Sequence, residues 1–170
     1  MLNGADIMVL LYLAAKPGPW TYRSLAADLD MDIAALHRSV GRLTRARLLD
    51  SERMLKPQAV EEFLVHAVPY LLPAEPGRLG RGVPTAWGAA PLRDMIAEDG
   101  EPPPVWPDSR GQVRGQSVEP IDDRVVSISR RDPELAEWFA LLDGVRIGRV
   151  RERKLAALEL RRRILDRKTR

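Results

Sequence analysis

The stretch from Thr21 to Leu49, TYRSLAADLDMDIAALHRSVGRLTRARLL, constrains the fold more than any other part of this chain. Thr21 can accept hydrogen bonds from the free amides of a first helical turn, and Trp20 before it can pack on Leu25 as a hydrophobic staple. Leu25, Ala26 and Leu29 then make one apolar stripe, which Asp30, Met31 and Asp32 interrupt. The same device repeats there: Asp32 caps a second helix and Met31 can staple onto Leu36. Two entry signals of one kind, eleven residues apart, predict two short helices joined by a tight turn.

In the second helix Leu36, Val40 and Leu43 fall at i, i+4 and i+7, a narrow stripe to bury against the first. Ala34 or Ala35, Arg38, Arg42 and Arg45 follow each other at three- to four-residue steps. That spacing predicts three guanidinium groups on one outward face, with small residues at its N-terminal end. Small residues let a helix backbone approach a duplex, and Arg reaches guanine edges or phosphates. Arg47, Leu48 and Leu49 end the helix and return the chain to the core.

The segment LAADLDMDIAALHRSVGRLTRARLL resembles the helix-turn-helix of winged-helix transcription regulators of the MarR-like or antitoxin type, over roughly the first third of the chain. The resemblance implies a DNA-binding winged domain over residues 1–72. Its interface would include Tyr22 and His37, Ala34 and Ala35 close to the bases, and Arg38, Arg42 and Arg45 on guanine or phosphate. Two features depart from the pattern. The first turn carries Ile33, Ala34 and Ala35 where polar base-reading side chains are common. Gly41 sits inside the helix, where glycine costs about 1 kcal/mol relative to Ala.

Around this pair the sequence places a helix from Asp6 to Ala15, stopped by Pro17, Gly18 and Pro19. DSERMLKP is long enough for a stubby hairpin wing, whose Arg53 and Lys56 are either grips on the phosphate backbone or solvated turn charges. Trp20 admits a ligand-stacking reading, but a staple and core residue is preferred. Pro57 opens a helix whose Val60, Phe63, Leu64, Ala67 and Val68 make a wide apolar face ending near Pro69. His66 lies off that face and reads as a surface residue rather than a metal ligand.

From Pro73 to Pro120 nine Pro and seven Gly fall in 48 residues, too many for long regular elements. Apolar residues such as Leu72, Val83, Trp87, Leu92 and Trp106 argue for an ordered, irregular arm rather than a linker, with one short helix near Pro91 to Glu98. No Gly-Lys-Ser/Thr occurs, so the glycines do not read as a phosphate cradle. One or two short strands are expected next, around Val125, Val126 and Ile128. Asp132 then caps a helix with Pro133 at its first position and Leu135, Trp138, Phe139 and Leu142 buried, ended by Asp143 and Gly144. A last, highly charged helix is expected from Gly148 almost to the end.

The expected fold is therefore mainly α: a winged helix-turn-helix over 1–72, a Pro/Gly-rich arm with short strands over 73–131, and a basic C-terminal helical pair over 132–170. Net charge is +3, but residues 146–170 hold eleven Lys or Arg against Glu152, Glu159 and Asp166, a surplus of 11 − 3 = 8, which leaves 3 − 8 = −5 elsewhere. A basic end on a mildly acidic body suits nucleic acid or an acidic partner.

Catalysis would need a nucleophile and base, paired carboxylates or a metal cluster. With no Cys, two His, and Asp122 and Asp123 adjacent rather than convergent, neither an enzyme nor a cofactor nor a metal is expected. No apolar run approaches the roughly 20 residues of a membrane span, and the N-terminus lacks a signal peptide's basic region, so a cytoplasmic location is expected. The functional expectation is a transcriptional regulator, a repressor binding double-stranded DNA as a homodimer, with a possible protein partner held through Trp87, Trp106 and the basic last helix. The alternative is a protein-binding winged-helix scaffold, or an antitoxin-type partner of a toxin or defence-system enzyme.

Overall fold

Capping chemistry fixes where the first three helices of the computed structural model begin, and the structure describes residues 1–166. Helix α1 (Gly4–Ala15) opens on a reciprocal box: the Asp6 amide donates to Asn3 Oδ1 at 3.1 Å and the Asn3 amide to Asp6 Oδ2 at 3.0 Å. Helix α2 (Tyr22–Asp28) repeats the device with Thr21 and Ser24, whose amides donate to each other's hydroxyls at 3.1 and 3.0 Å. Helix α3 (Ile33–Arg45) starts where Asp32 accepts from the Ala35 amide at 3.0 Å. Between α2 and α3 the chain turns on Asp30, whose φ of 50° lies in the left-handed region that Asp tolerates.

After α3 a single antiparallel bridge pairs Leu49 with Leu55, so the expected hairpin is one bridge long. Asp50 organises its turn: Oδ1 accepts from the amides of Glu52 and Met54 at 2.8 and 2.9 Å. The helix expected to run to Pro69 is two, α4 (Pro57–His66) and α5 (Val68–Leu71). Pro69 lies in the first turn of α5, where its missing N–H breaks no bond.

The Pro/Gly-rich stretch holds three short strands, β1 (Leu79–Pro84), β2 (Pro104–Pro107) and β3 (Val113–Ser117). β1 runs antiparallel to both others, and β2 runs parallel to β3, closing the three on themselves. Prolines at the ends of β1 and β2 keep them short, since each removes a ladder donor. The short helix expected over 91–98 is a 3₁₀ turn, Leu92–Asp94, after another at Ala86–Gly88.

Three expectations beyond the first half of the chain are corrected. Val125, Val126 and Ile128 are not on a strand: α6 (Val125–Arg131) is helical, because Val125 and Ile128 bury together at i, i+3 against the core. Asp143 and Gly144 do not end α7, which runs Pro133–Ile147. A Cβ on Gly144 would meet Leu92 Cδ1 at 2.7 Å and the Ala156 Cβ at 2.9 Å, so this glycine permits close packing on α8 (Val150–Leu165). Finally, Trp106, expected on a partner surface, is buried within the protein. Its Nε1 donates to Asp143 Oδ2 at 2.7 Å, and Thr85 Oγ1 donates to the same oxygen at 2.8 Å. Arg146 Nη1 donates to Asp143 Oδ1 at 2.7 Å, and Arg146 Nε to the Leu72 carbonyl at 2.9 Å. The sheet, the segment before it and α7 thus share one buried polar knot.

Helix α1 packs between α3 and α7, while α8 lies on α7 and α4. Buried apolar side chains form one continuous cluster from Ile7 to Ile164. Of the basic end counted in the sequence, Arg167, Lys168 and Arg170 lie outside the described residues.

Candidate functional site

At about 100° per residue, the stripe of Leu36, Val40 and Leu43 sets which side of α3 faces out. All three are buried at 2% exposure or less, as is Ser39. Directly opposite lie Ala34, Arg38, Gly41 and Arg45, every one exposed. Arg38 and Arg45 form no ion pair among the described residues. Ala35 is half-buried at the edge of this ridge.

Arg42 is not a third member of the row. Its Nε donates to Asp6 Oδ2 at 2.9 Å and its Nη2 to Asp6 Oδ1 at 2.8 Å, a two-pronged pair with a fully buried carboxylate. That bond holds the Arg42 guanidinium pKa above its ordinary value. The expectation of three guanidinium groups on one face is corrected on this point: the charge on Asp6 needs a partner inside the protein, and Arg42 is within reach. Sequence reasoning treated Asp6 only as the start of a helix. The available sign was a carboxylate preceding an almost wholly apolar run, IMVLLYLAA.

The turn before α3 is held from two sides, and a third pair ties the end of α1 to the start of α7. Tyr12 donates its hydroxyl to Asp28 Oδ2 at 2.5 Å, and burial first, then Asp28, pushes the phenol pKa well above its usual range. Arg131 of α6 donates to Asp30 Oδ2 at 2.8 Å and to the Asp28 carbonyl at 2.7 Å. Lys16 pairs with Asp132 at 2.9 Å. The last third of the chain therefore fixes the orientation of α3.

An aromatic ladder flanks the ridge. The Tyr22 ring stacks on His37 with centroids 3.5 Å apart and planes 18° from parallel, and Trp20 meets Tyr22 edge-on at 5.2 Å. The Arg53 guanidinium lies 5.2 Å from the Trp20 centroid and 5.3 Å from that of Tyr22, an arrangement favoured by the negative ring faces. Arg53 has a φ of 64°, so the turn carrying it is held in a left-handed conformation. Lys56 is exposed just before α4. Tyr22, His37 and Arg53 are thus brought together, with Lys56 further along the chain and Arg42 turned inward.

Beside Arg53 a cleft of about 250 Å³ opens between the end of α1, the Leu49–Leu55 turn and α8. Its walls include Leu13, Trp20, Leu55, Pro57 and Ile164, with Lys16 and Arg53 as its cations, and no nucleophile–base pair lines it. Among the described residues no group of three His, Asp or Glu side chains could hold a metal ion, and no helix is long and apolar enough to cross a membrane. Comparison of the chain with known protein families, with curated proteins and with solved structures finds no match.

Proposed function

We propose that residues 1–72 form a winged helix-turn-helix that binds double-stranded DNA, and that the protein acts as a homodimeric transcriptional regulator, a repressor. The observation that carries this reading is the outward ridge of α3. Two exposed arginines, Arg38 and Arg45, flank small residues on the side opposite the buried stripe, with no carboxylate partner among the described residues. A major groove admits a helix whose outer face is small and cationic, because the backbone can approach while guanidinium groups reach base edges or phosphates.

Arg53 and Lys56 would supply backbone contacts from the one-bridge wing, and Tyr22 and His37 would border the groove. Pairing of two copies follows from reach: one short helix reads few bases, whereas a two-fold dimer reads two half-sites a helical turn apart.

The test is fluorescence anisotropy on the protein's own upstream DNA at two salt concentrations. Arg38→Ala/Arg45→Ala should weaken binding and flatten the salt slope by about 1 per lost phosphate contact. Equal affinity and equal slope for variant and wild type would refute insertion of this face.

A further inference from the structure

The outer face of α8 has a composition that neither the fold nor the DNA reading uses. Along it Arg151, Lys154, Leu158, Arg161 and Leu165 recur at steps of 3, 4, 3 and 4, the spacing of a seam on which another helix can lie. The opposite side of α8, with Ala156, Leu160 and Ile164, is buried in the core. Arg151, Lys154 and Arg161 are exposed and have no ion pair among the described residues, while Leu158 is 54% exposed.

Charge is segregated across this helix. Its two glutamates face inward: Glu152 accepts from Arg149 at 3.0 Å, and Glu159 from Arg162 and Arg163 at 2.6 and 2.9 Å. They are therefore not available to neutralise the seam. The seam thus presents three cations and one exposed leucine, Leu158, while Leu165 at its end is half-buried against the core.

We infer that this seam docks an acidic amphipathic helix of another protein, with a leucine opposite Leu158 and carboxylates opposite Arg151, Lys154 and Arg161. Charge complementarity selects that occupant. A second copy of α8 is disfavoured in either direction. Parallel pairing sets Lys154 against Lys154 and Arg161 against Arg161; antiparallel pairing about Leu158 sets Lys154 against Arg162, next to Arg161. Like charges at such positions destabilise a helix pair. Phosphates of a duplex would satisfy the cations but leave Leu158 against a wet, polar backbone. The inference is independent of what α3 binds.

The probe is a fluorescein-labelled peptide of three heptads with Leu at d and Glu at a, e and g, measured by anisotropy against the full chain, beside its counterpart with Gln in place of Glu. Saturable binding of the acidic peptide is expected in the micromolar range. It should fall at least about tenfold for Leu158→Asp, for Lys154→Glu/Arg161→Glu, and for the Gln peptide. Unchanged melting temperatures would show that the variants fold, as exposed positions should allow. Four results would each overturn the inference. The first is no saturable binding. The second is binding indifferent to Leu158→Asp. In the third, the charge reversal removes binding to duplex DNA or to phosphatidylcholine vesicles containing phosphatidylserine while leaving the peptide bound. Conversion of a dimer to a monomer by Leu158→Asp in light scattering would assign the face to a second copy instead, and would also overturn it.

Discussion

Removing Arg42 would strip the buried Asp6 carboxylate of both its guanidinium hydrogen bonds, at 2.9 and 2.8 Å. A buried charge left without its partner is costly, so Arg42→Ala should destabilise the protein by about 2–4 kcal/mol in urea unfolding. Arg38→Ala, on the open ridge, should change stability by less than about 0.5 kcal/mol. Equal effects from the two would contradict the assignment of one to the pair with buried Asp6 and the other to the open ridge. Gly41 gives the opposite kind of prediction. A Cβ there meets nothing within 4 Å, so Gly41→Ala should stabilise the helix by up to about 1 kcal/mol. On the proposed groove reading it should nonetheless weaken DNA binding, because the added methyl stands where the backbone approaches the duplex. A melt that shows no gain, or a gain with undiminished affinity, would remove that role. At this scale the sequence revealed which residues share a helix face to within about one position. It could not reveal that Arg42, at the edge of that face, finds a carboxylate 36 residues away in the chain.

Elements depend on groups that look ordinary in sequence. The three-stranded sheet is tied to α7 through Asp143, which receives Trp106, Thr85 and Arg146. Burial pushes its pKa up, against the pull of Arg146 and the other donors, so the knot holds a carboxylate in a costly place. Asp143→Ala should cost about 3–5 kcal/mol, since it leaves Arg146 buried without its charge partner. Loss of near-ultraviolet tryptophan circular dichroism at temperatures where helix content persists would localise the damage to the sheet; intact dichroism would contradict the anchor. Asp-Gly read as a helix stop because those residues so often are one. The sign to the contrary was an Asp–Arg pair at i, i+3, Asp143 and Arg146, next to the apolar Leu142 and Val145. The pairing of β1 with β2 and β3 was not legible, being set by contacts far apart in sequence. That the arm is ordered was legible from its apolar residues.

Helix α8 carries a pH dependence whose sign is fixed by Glu159. Its hydrogen bonds from Arg162 first, and from Arg163, lower its pKa from the ordinary 4.5 to about 2. A carboxylate with a depressed folded pKa contributes stability above its unfolded value and loses it as pH falls through the folded one. Stability should therefore decline between about pH 4.5 and 2, and Glu159→Gln should flatten that part of the urea-midpoint profile. A profile unchanged by the substitution would show that the carboxylate contributes nothing in this window.

Taken whole, the molecule joins its first and last thirds through shared packing: α1 lies between α3 and α7, and Arg131 reaches the turn that orients α3. The helix pair and its caps were readable from local chemistry, because Thr21 and Asp32 act within three residues of themselves. The clamp by Arg131 was not, since it spans 101 positions. The central claim, that the outer ridge of α3 enters a duplex, can be tested in one measurement because the chain has no Cys. A single thiol placed by Ala34→Cys, loaded with an iron–EDTA cleavage reagent, should cut the protein's own upstream DNA at two loci separated by about 10 base pairs or a multiple of it. The same reagent on Gln112→Cys, exposed after the β2 strand, should not cut there. Diffuse cutting from Ala34→Cys, or the same loci from both positions, would contradict the account.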